Sequence, residues 1–339
     1  MKKLFIVTFA LLIVALSGCS GLAGIQPQKP VERPQTLYQT QVIDPASGTR
    51  LSIEALARKL SGVRVIVVGE YHGHPAAHLL QSQIQEALYR QNPLQVLSME
   101  QFTLDTQSAV NAYLHNKTGE AELIEDADAW DNYRASYRPL VEFARLHNLP
   151  VIAANAPAHI VRCVGRSGRD YLNSLPANVR AELPEDPFMD TPGYRKKFDA
   201  ALAGGHSTAG KLMRERMDNT YKAQLLRDNT MASRILQALE AYPGHQIVHT
   251  TGTFHSQEHL GTVALLHKRA PGVSVAVISP VVWPPEADKP PLAENRNKGD
   301  FLFFVQPLPE EYLSDERRKK AMSARFRQSA KDTCQEDSR

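Results

Sequence analysis

Residues 64–74 read RVIVVGEYHGH, and the order of residue types in this stretch decides the fold class. Val65 to Val68 are apolar and β-branched, with no polar position to mark a solvent face. Such a run suits a strand covered on both sides, as in a parallel sheet, better than a strand with one wet face. Gly69 ends the run, and Glu70-Tyr71-His72 follows at once. Runs of the same character occupy residues 94–99 (LQVLSM), 150–154 (PVIAA), 246–251 (QIVHTT), 273–279 (VSVAVIS) and 301–305 (FLFFV).

Between these runs the period is helical. Residues 74–90 put Leu80, Ile84, Ala87 and Leu88 on one stripe, with Pro75 in the first turn. Residues 104–115 predict a second helix. In 137–147 Tyr137, Leu140, Val141 and Ala144 share a face, and the longest helix, 219–242, carries Tyr221, Leu225, Ala232, Ile235, Leu236 and Leu239 inward. Alternating strands and helices predict an α/β fold with a largely parallel central sheet flanked by helices. Residues 158–217 break the alternation and read as a mostly helical insertion, suited to a lid or a dimer arm.

The first residues have a different job. Lys2 and Lys3 precede an apolar run from Leu4 to Leu16, and Leu16-Ser17-Gly18-Cys19 resembles the lipobox of bacterial lipoproteins. The run is shorter than the roughly 18 to 20 residues of a transmembrane helix. Residues 1–18 are therefore expected to be a cleaved signal peptide and Cys19 the lipidated first residue, with acyl chains such as palmitate holding it to the membrane. Ser20, in place of Asp, implies sorting to the outer membrane, with the folded part facing the periplasm. Residues 19–36 read as a flexible Pro/Gln-rich linker, 37–306 as the folded domain and 307–339 as a charged tail, either a solvated helix or disordered.

Lys plus Arg number 39 against 36 Asp plus Glu, and nothing in that balance points to a nucleic-acid partner. With Cys19 acylated, Cys163 and Cys334 remain and are expected to stay unpaired, because Cys334 falls in the tail.

Polar residues follow four of the runs directly: Glu70 to His74, Glu100-Gln101, Asn155 and Gly252 to His255. In an open α/β sheet the carboxyl ends of the strands line the binding crevice, so these distant groups are expected to converge. Gly-x-x-His occurs twice, ending at His72 and His255. Two imidazoles with Glu70 and Glu100 can bind a divalent metal ion or act as acid and base. His74 and His78, four residues apart, are read as a solvated helix face. Asp228 shares the inward stripe of the longest helix and needs a buried partner, either an arginine of the insertion or a member of the crevice. Tyr137 also faces inward, behind Trp130, Tyr133 and Arg134. It is either plain core or a phenolate ligand of ferric haem, with aromatic neighbours to stack on the macrocycle and Arg134, Arg138 or a histidine to meet its propionates.

The segments VVGEYHGH, LSMEQF, YRPLVEFAR, VIAANAP, AQLLRDNTMA and GTFHS resemble the ChaN family of haem-binding lipoproteins, in the Tiki superfamily, over about residues 60–280. The resemblance implies haem and iron uptake, ferric haem held at a homodimer interface by a tyrosine, a histidine of the other subunit assisting, and a haem receptor or periplasmic carrier as partner. By motif the tyrosine is Tyr137, with Tyr133 and Tyr71 as rivals; the histidine is His206 or one of the crevice set. Gly73 stands where the family more often has Asp. The alternative is a metal-dependent hydrolase or protease of the Tiki or erythromycin-esterase type, with Glu70, His72, Glu100 and His255 at its centre and Asp228 orienting. One expected outcome rests on the lipobox alone: Cys19→Ser leaves haem binding intact and moves the protein from the membrane to the soluble fraction on cell fractionation.

Overall fold

The computed structural model describes residues 30–202, 211–331 and 334. The signal peptide, Cys19, most of the linker and His206 lie outside the described residues. The strands are β1 (Gln41–Asp44), β2 (Thr49–Leu51), β3 (Val65–Glu70), β4 (Gln95–Thr103), β5 (Val151–Asn155), β6 (Gln246–Gly252), β7 (Val275–Val282) and β8 (Phe301–Val305). The helices are α1 (Ile53–Leu60), α2 (Pro75–Gln91), α3 (Gln107–Leu114), α4 (Glu120–Asp126), α5 (Tyr133–Ser136), α6 (Arg138–Leu146), α7 (Ala158–Ser167), α8 (Arg169–Ser174), α9 (Ala177–Glu182), α10 (Tyr194–Leu202), α11 (Lys211–Ala241), α12 (Thr262–Arg269) and α13 (Asp315–Lys331).

All eight strands form one sheet in the order β2-β1-β8-β7-β3-β6-β4-β5. The six strands from β8 to β5 pair in parallel; the β1–β2 hairpin adds antiparallel to β8. The expected α/β architecture is therefore present. Every residue of β3 is buried, as its unbroken apolar run requires. Ile66 and Val68 pack with Leu80 and Ile84 of α2 on one face of the sheet. Val65 and Val67 pack with Ala232 and Ile235 of α11 and Leu266 of α12 on the other. The two-residue repeat of β3 thus feeds two separate cores.

Chain direction turns about β3 and β6. From β3 the chain goes out to β4 and β5 on one side, returns to β6 next to β3, and leaves through β7 and β8 on the other side. Parallel pairing brings Glu70 opposite Gly252 and Met99 opposite Thr250, so the residues that follow these strands share one end of the sheet. This reversal of strand order is where an open α/β sheet leaves a crevice.

Two expectations are corrected. Cys163 and Cys334 form a disulfide; α13 carries the chain beyond β8, and Cys334, just past that helix, meets Cys163 on α7. His74 and His78 are not on a solvated face. They are 1% and 4% exposed, because α2 presses the turn after β3 against the sheet. The Nε2 of His74 contacts the carbonyl of Gln306, and that of His78 accepts from the Gly73 amide. Among the described residues no helix is long and apolar enough to cross a membrane.

Candidate functional site

The carboxyl ends of β3, β4 and β6 bring Glu70, His72, Glu100 and His255 into one crevice, and α11 adds Asp228 from the side. The groups form two linked clusters. Glu70, 1% exposed, anchors the first. Its Oε1 accepts from the Tyr137 hydroxyl and the His72 Nδ1, each at 2.7 Å, and from the Gln101 amide at 3.3 Å. Its Oε2 accepts from Gln81 at 2.8 Å and stands 3.6 Å from the His78 Nδ1. A carboxylate this deep is stable only when its lone pairs are filled, and here they are.

The second cluster centres on His255. Its Nδ1 donates to Asp228 Oδ1 at 2.8 Å, and its Nε2 lies 3.4 Å from Glu100 Oε1. Burial alone would lower the His255 pKa, but the two carboxylates push it up to about 10. The ring is an imidazolium at neutral pH. Glu100 shows the reciprocal effect: burial would raise its pKa, yet the His255 cation, His72 and the Thr251 hydroxyl hold it well below the usual carboxylate range. Its Oε2 also accepts from the Gly252 amide at 2.7 Å. Asp228, fully buried, takes further hydrogen bonds from Tyr194 (2.5 Å) and Thr262 (2.9 Å). Its partner is therefore a crevice histidine, not an arginine of the insertion.

Two glycines make the approach physically possible. Gly261 has φ +61°, and a Cβ there would lie 2.8 Å from both Asp228 Oδ1 and the His255 carbonyl. A Cβ on Gly252 would lie 2.7 Å from His72 Nε2. The bare backbone at Gly252 leaves His72 room between the clusters.

His72 differs from the other crevice groups in being half-exposed. Burial pulls its pKa down, but the Glu70 hydrogen bond and the Glu100 charge outweigh it, so the net shift is upward. Trp130 packs edge-on against it at 5.0 Å. Two participants were not singled out in the sequence. Gln81 sits on an apolar helix face and looks like an ordinary amide until it is seen to meet, with Gln101, the Glu70 carboxylate. His249, in the middle of β6, contacts the Ser98 hydroxyl at 3.0 Å, and burial drives its pKa down to about 4, so it stays neutral. Its neighbour in the sheet, and no sequence spacing, reveals it.

The remaining candidates fall elsewhere. Tyr137 is fully enclosed; burial and the Glu70 charge both raise its phenol far above the normal range. Tyr133 is 2% exposed, and its hydroxyl has no hydrogen-bond partner among the described residues. Arg134 lies on the surface, 3.2 Å from Glu120, which also takes Arg138. Tyr71 is partly buried at the crevice lip, its hydroxyl donating to the Pro280 carbonyl at 3.1 Å. Among the described residues no three His, Cys, Asp or Glu side chains are grouped to hold a metal ion.

Fold and site together define a doubly covered parallel α/β domain with a carboxylate–imidazole crevice at its switch point. A family profile described as haem-binding uptake, Tiki superfamily, ChaN matches residues 56–266. The chain belongs to this family. Among solved structures it is similar to ChaN of Campylobacter jejuni, a structure described as showing cofacial haem binding, with 14% identity, 82% of this chain and 100% of that one covered, and a TM-score of 0.56. An erythromycin esterase mutant in its open conformation is more distant, at 12% identity, 84% and 87% coverage and a TM-score of 0.41. No curated protein matches the chain in sequence.

Tyr137 and Tyr133 are both enclosed, and the Tyr137 hydroxyl donates to Glu70. The buried triad makes its own prediction. The raised His255 pKa stabilises the fold fully below the unfolded value near 6.5, and that contribution is lost as pH rises through about 10. Asp228→Asn should therefore cost about 3 kcal/mol or more at pH 7 in urea denaturation. The gap between variant and parent should narrow above pH 10.

Proposed function

We propose that this is a lipid-anchored haem-binding protein acting in haem or iron uptake at the envelope, tethered through Cys19 to the outer membrane with its domain in the periplasm. The observation that carries the reading is the family match over residues 56–266, which spans the whole crevice. The crevice groups are already paired with one another, so a flat macrocycle would rest against the lip and not enter. Its outer face would then be left for a second copy, in keeping with a homodimer, and a receptor or periplasmic carrier would supply or take the cargo.

Ferric iron is proposed to be held by a tyrosine oxygen. Among the three candidate tyrosines, the geometry favours Tyr71 over Tyr137 and Tyr133. Deprotonating Tyr137 would place a phenolate 2.7 Å from the Glu70 carboxylate, a repulsion with no compensating cation on the phenol. Tyr71 is raised by burial too and donates its hydroxyl to the Pro280 carbonyl, but that partner is neutral, Gln257 and Val282 act in the opposite direction and no carboxylate adds to it. An anionic oxygen there suits ferric iron better than ferrous.

A second reading, hydrolysis in the crevice, has one observation in its favour. Glu70 holds Nδ1 of His72, leaving Nε2 as the free nitrogen, directed at Gly252 beside Glu100. In that reading His72 takes a proton from water and Glu70 stabilises the resulting cation. His255 is the weaker base candidate, because both its ring nitrogens already face carboxylates, Nδ1 on Asp228 and Nε2 beside Glu100.

Titrating haemin into the protein tests these readings. The expected result is a shifted Soret band with an increase in mass to a dimer, a ferric tyrosinate spectrum lost in Tyr71→Phe, and the same spectrum kept in Tyr137→Phe. Loss in Tyr137→Phe alone returns the ligand to that residue. No Soret change, with ester hydrolysis that disappears in His72→Ala, establishes the second reading instead.

A further inference from the structure

The sheet ends at β5, and its outer edge is closed by side chains in place of another strand. The Gln107 amide donates to the Val151 carbonyl at 2.8 Å and accepts from the Ala153 amide at 2.9 Å, as a neighbouring strand would. Arg234 of α11 completes the closure, its Nε donating to the Ala153 carbonyl at 3.2 Å. Beside this closure, between α3, α6 and the end of α11, lies a cavity of about 420 Å³. It borders the start of β5, at the opposite end of the strands from the crevice, and shares no residue with it.

The charge of the cavity is one-sided. Arg234 is partly buried, and its other hydrogen bonds go to Gln107 Oε1 (2.9 Å) and Gln237 Oε1 (3.0 Å), so all its partners are neutral oxygens. Glu182, the acidic group that acts on it, stands outside the cavity wall. Arg145 and His115 also line the cavity; Arg145 is already paired with Glu142 at 2.8 Å, just outside the wall, so Arg234 is the cation left for a ligand, and among the described residues the wall itself holds no carboxylate. Closing a strand edge requires hydrogen-bond donors, which an amide supplies; it does not require a cation. A partly buried guanidinium whose direct partners are all neutral favours the arrival of an anion. It has five N–H donors, and the three hydrogen bonds above leave capacity for a forked anion. Leu114, Leu149 and Tyr242 give the same cavity an apolar wall. Its volume falls in the range of small-molecule sites, roughly 300 to 1,000 Å³.

We propose that this cavity binds a small organic anion, a carboxylate or phosphate head on Arg234 with an apolar body against Leu114, Leu149 and Tyr242. The site is separate from the crevice and does not rest on the haem reading. Calorimetric titration of the protein with benzoate, phenyl phosphate and inorganic phosphate tests it. Benzoate or phenyl phosphate should bind, and inorganic phosphate should bind at least tenfold more weakly, because it lacks the apolar body. Arg234→Gln should weaken the organic anion by roughly tenfold or more. Ala241→Trp, at the exposed rim, should block entry without touching the β5 edge. The haemin response of the Ala241→Trp variant should match that of the parent. Absence of binding by both organic anions, equal binding of inorganic phosphate, or undiminished binding in Ala241→Trp overturns the proposal.

Discussion

The ion triad Asp228–His255–Glu100 is the constraint on which the rest of this structure depends. It joins three pieces that are far apart in sequence: α11, the turn after β6, and the end of β4. Each carboxylate would be untenable alone at this depth, and so would the cation. Together they are tolerable because hydroxyls and an amide fill the remaining lone pairs: Tyr194 and Thr262 on Asp228, Thr251 and Gly252 on Glu100. The triad therefore fixes where α11 lies over the sheet. Through Tyr194 it also orients α10.

The second carboxylate cluster is built on a different principle. Glu70 is satisfied by a phenol, two amides and an imidazole, with no full-strength cation among them. Its consequence is directional: with Nδ1 of His72 tied down, the ring can offer only Nε2 to anything that arrives. The crevice thus combines a rigid, charged floor with one half-exposed imidazole at its lip. Such an arrangement does not presuppose chemistry. It serves a binding surface equally well, and the family to which the chain belongs is one of haem binding.

Much of this was legible in the chain itself. The six parallel strands announce themselves because burial on both faces keeps the runs short and mostly apolar with no regular polar alternation, even where β4 and β6 carry Ser98 and His249, and Asp228 could be placed inward because a helix repeats its faces. The β1–β2 hairpin was not visible: strands of four and three residues, QVID and TRL, carry too few side chains to show a period. Tyr137 shows a different limit. Periodicity correctly sends it inward, but only the position of Glu70, sixty-seven residues earlier, reveals that its hydroxyl is a donor to that carboxylate. Cys334 looked free because a charged tail has no apolar signal to say where it returns. His74 and His78 looked solvated because a histidine pair on a helix has the same spacing whether wet or packed.

The charge of one buried ring, His255, holds this arrangement together. A pH titration of the His255 ring nitrogens by 15N NMR measures that charge directly. The triad predicts an imidazolium throughout the neutral range, giving up its proton only near pH 10. A neutral His255 ring at pH 7 would contradict it, and with it the claim that paired charges hold α11 against the crevice.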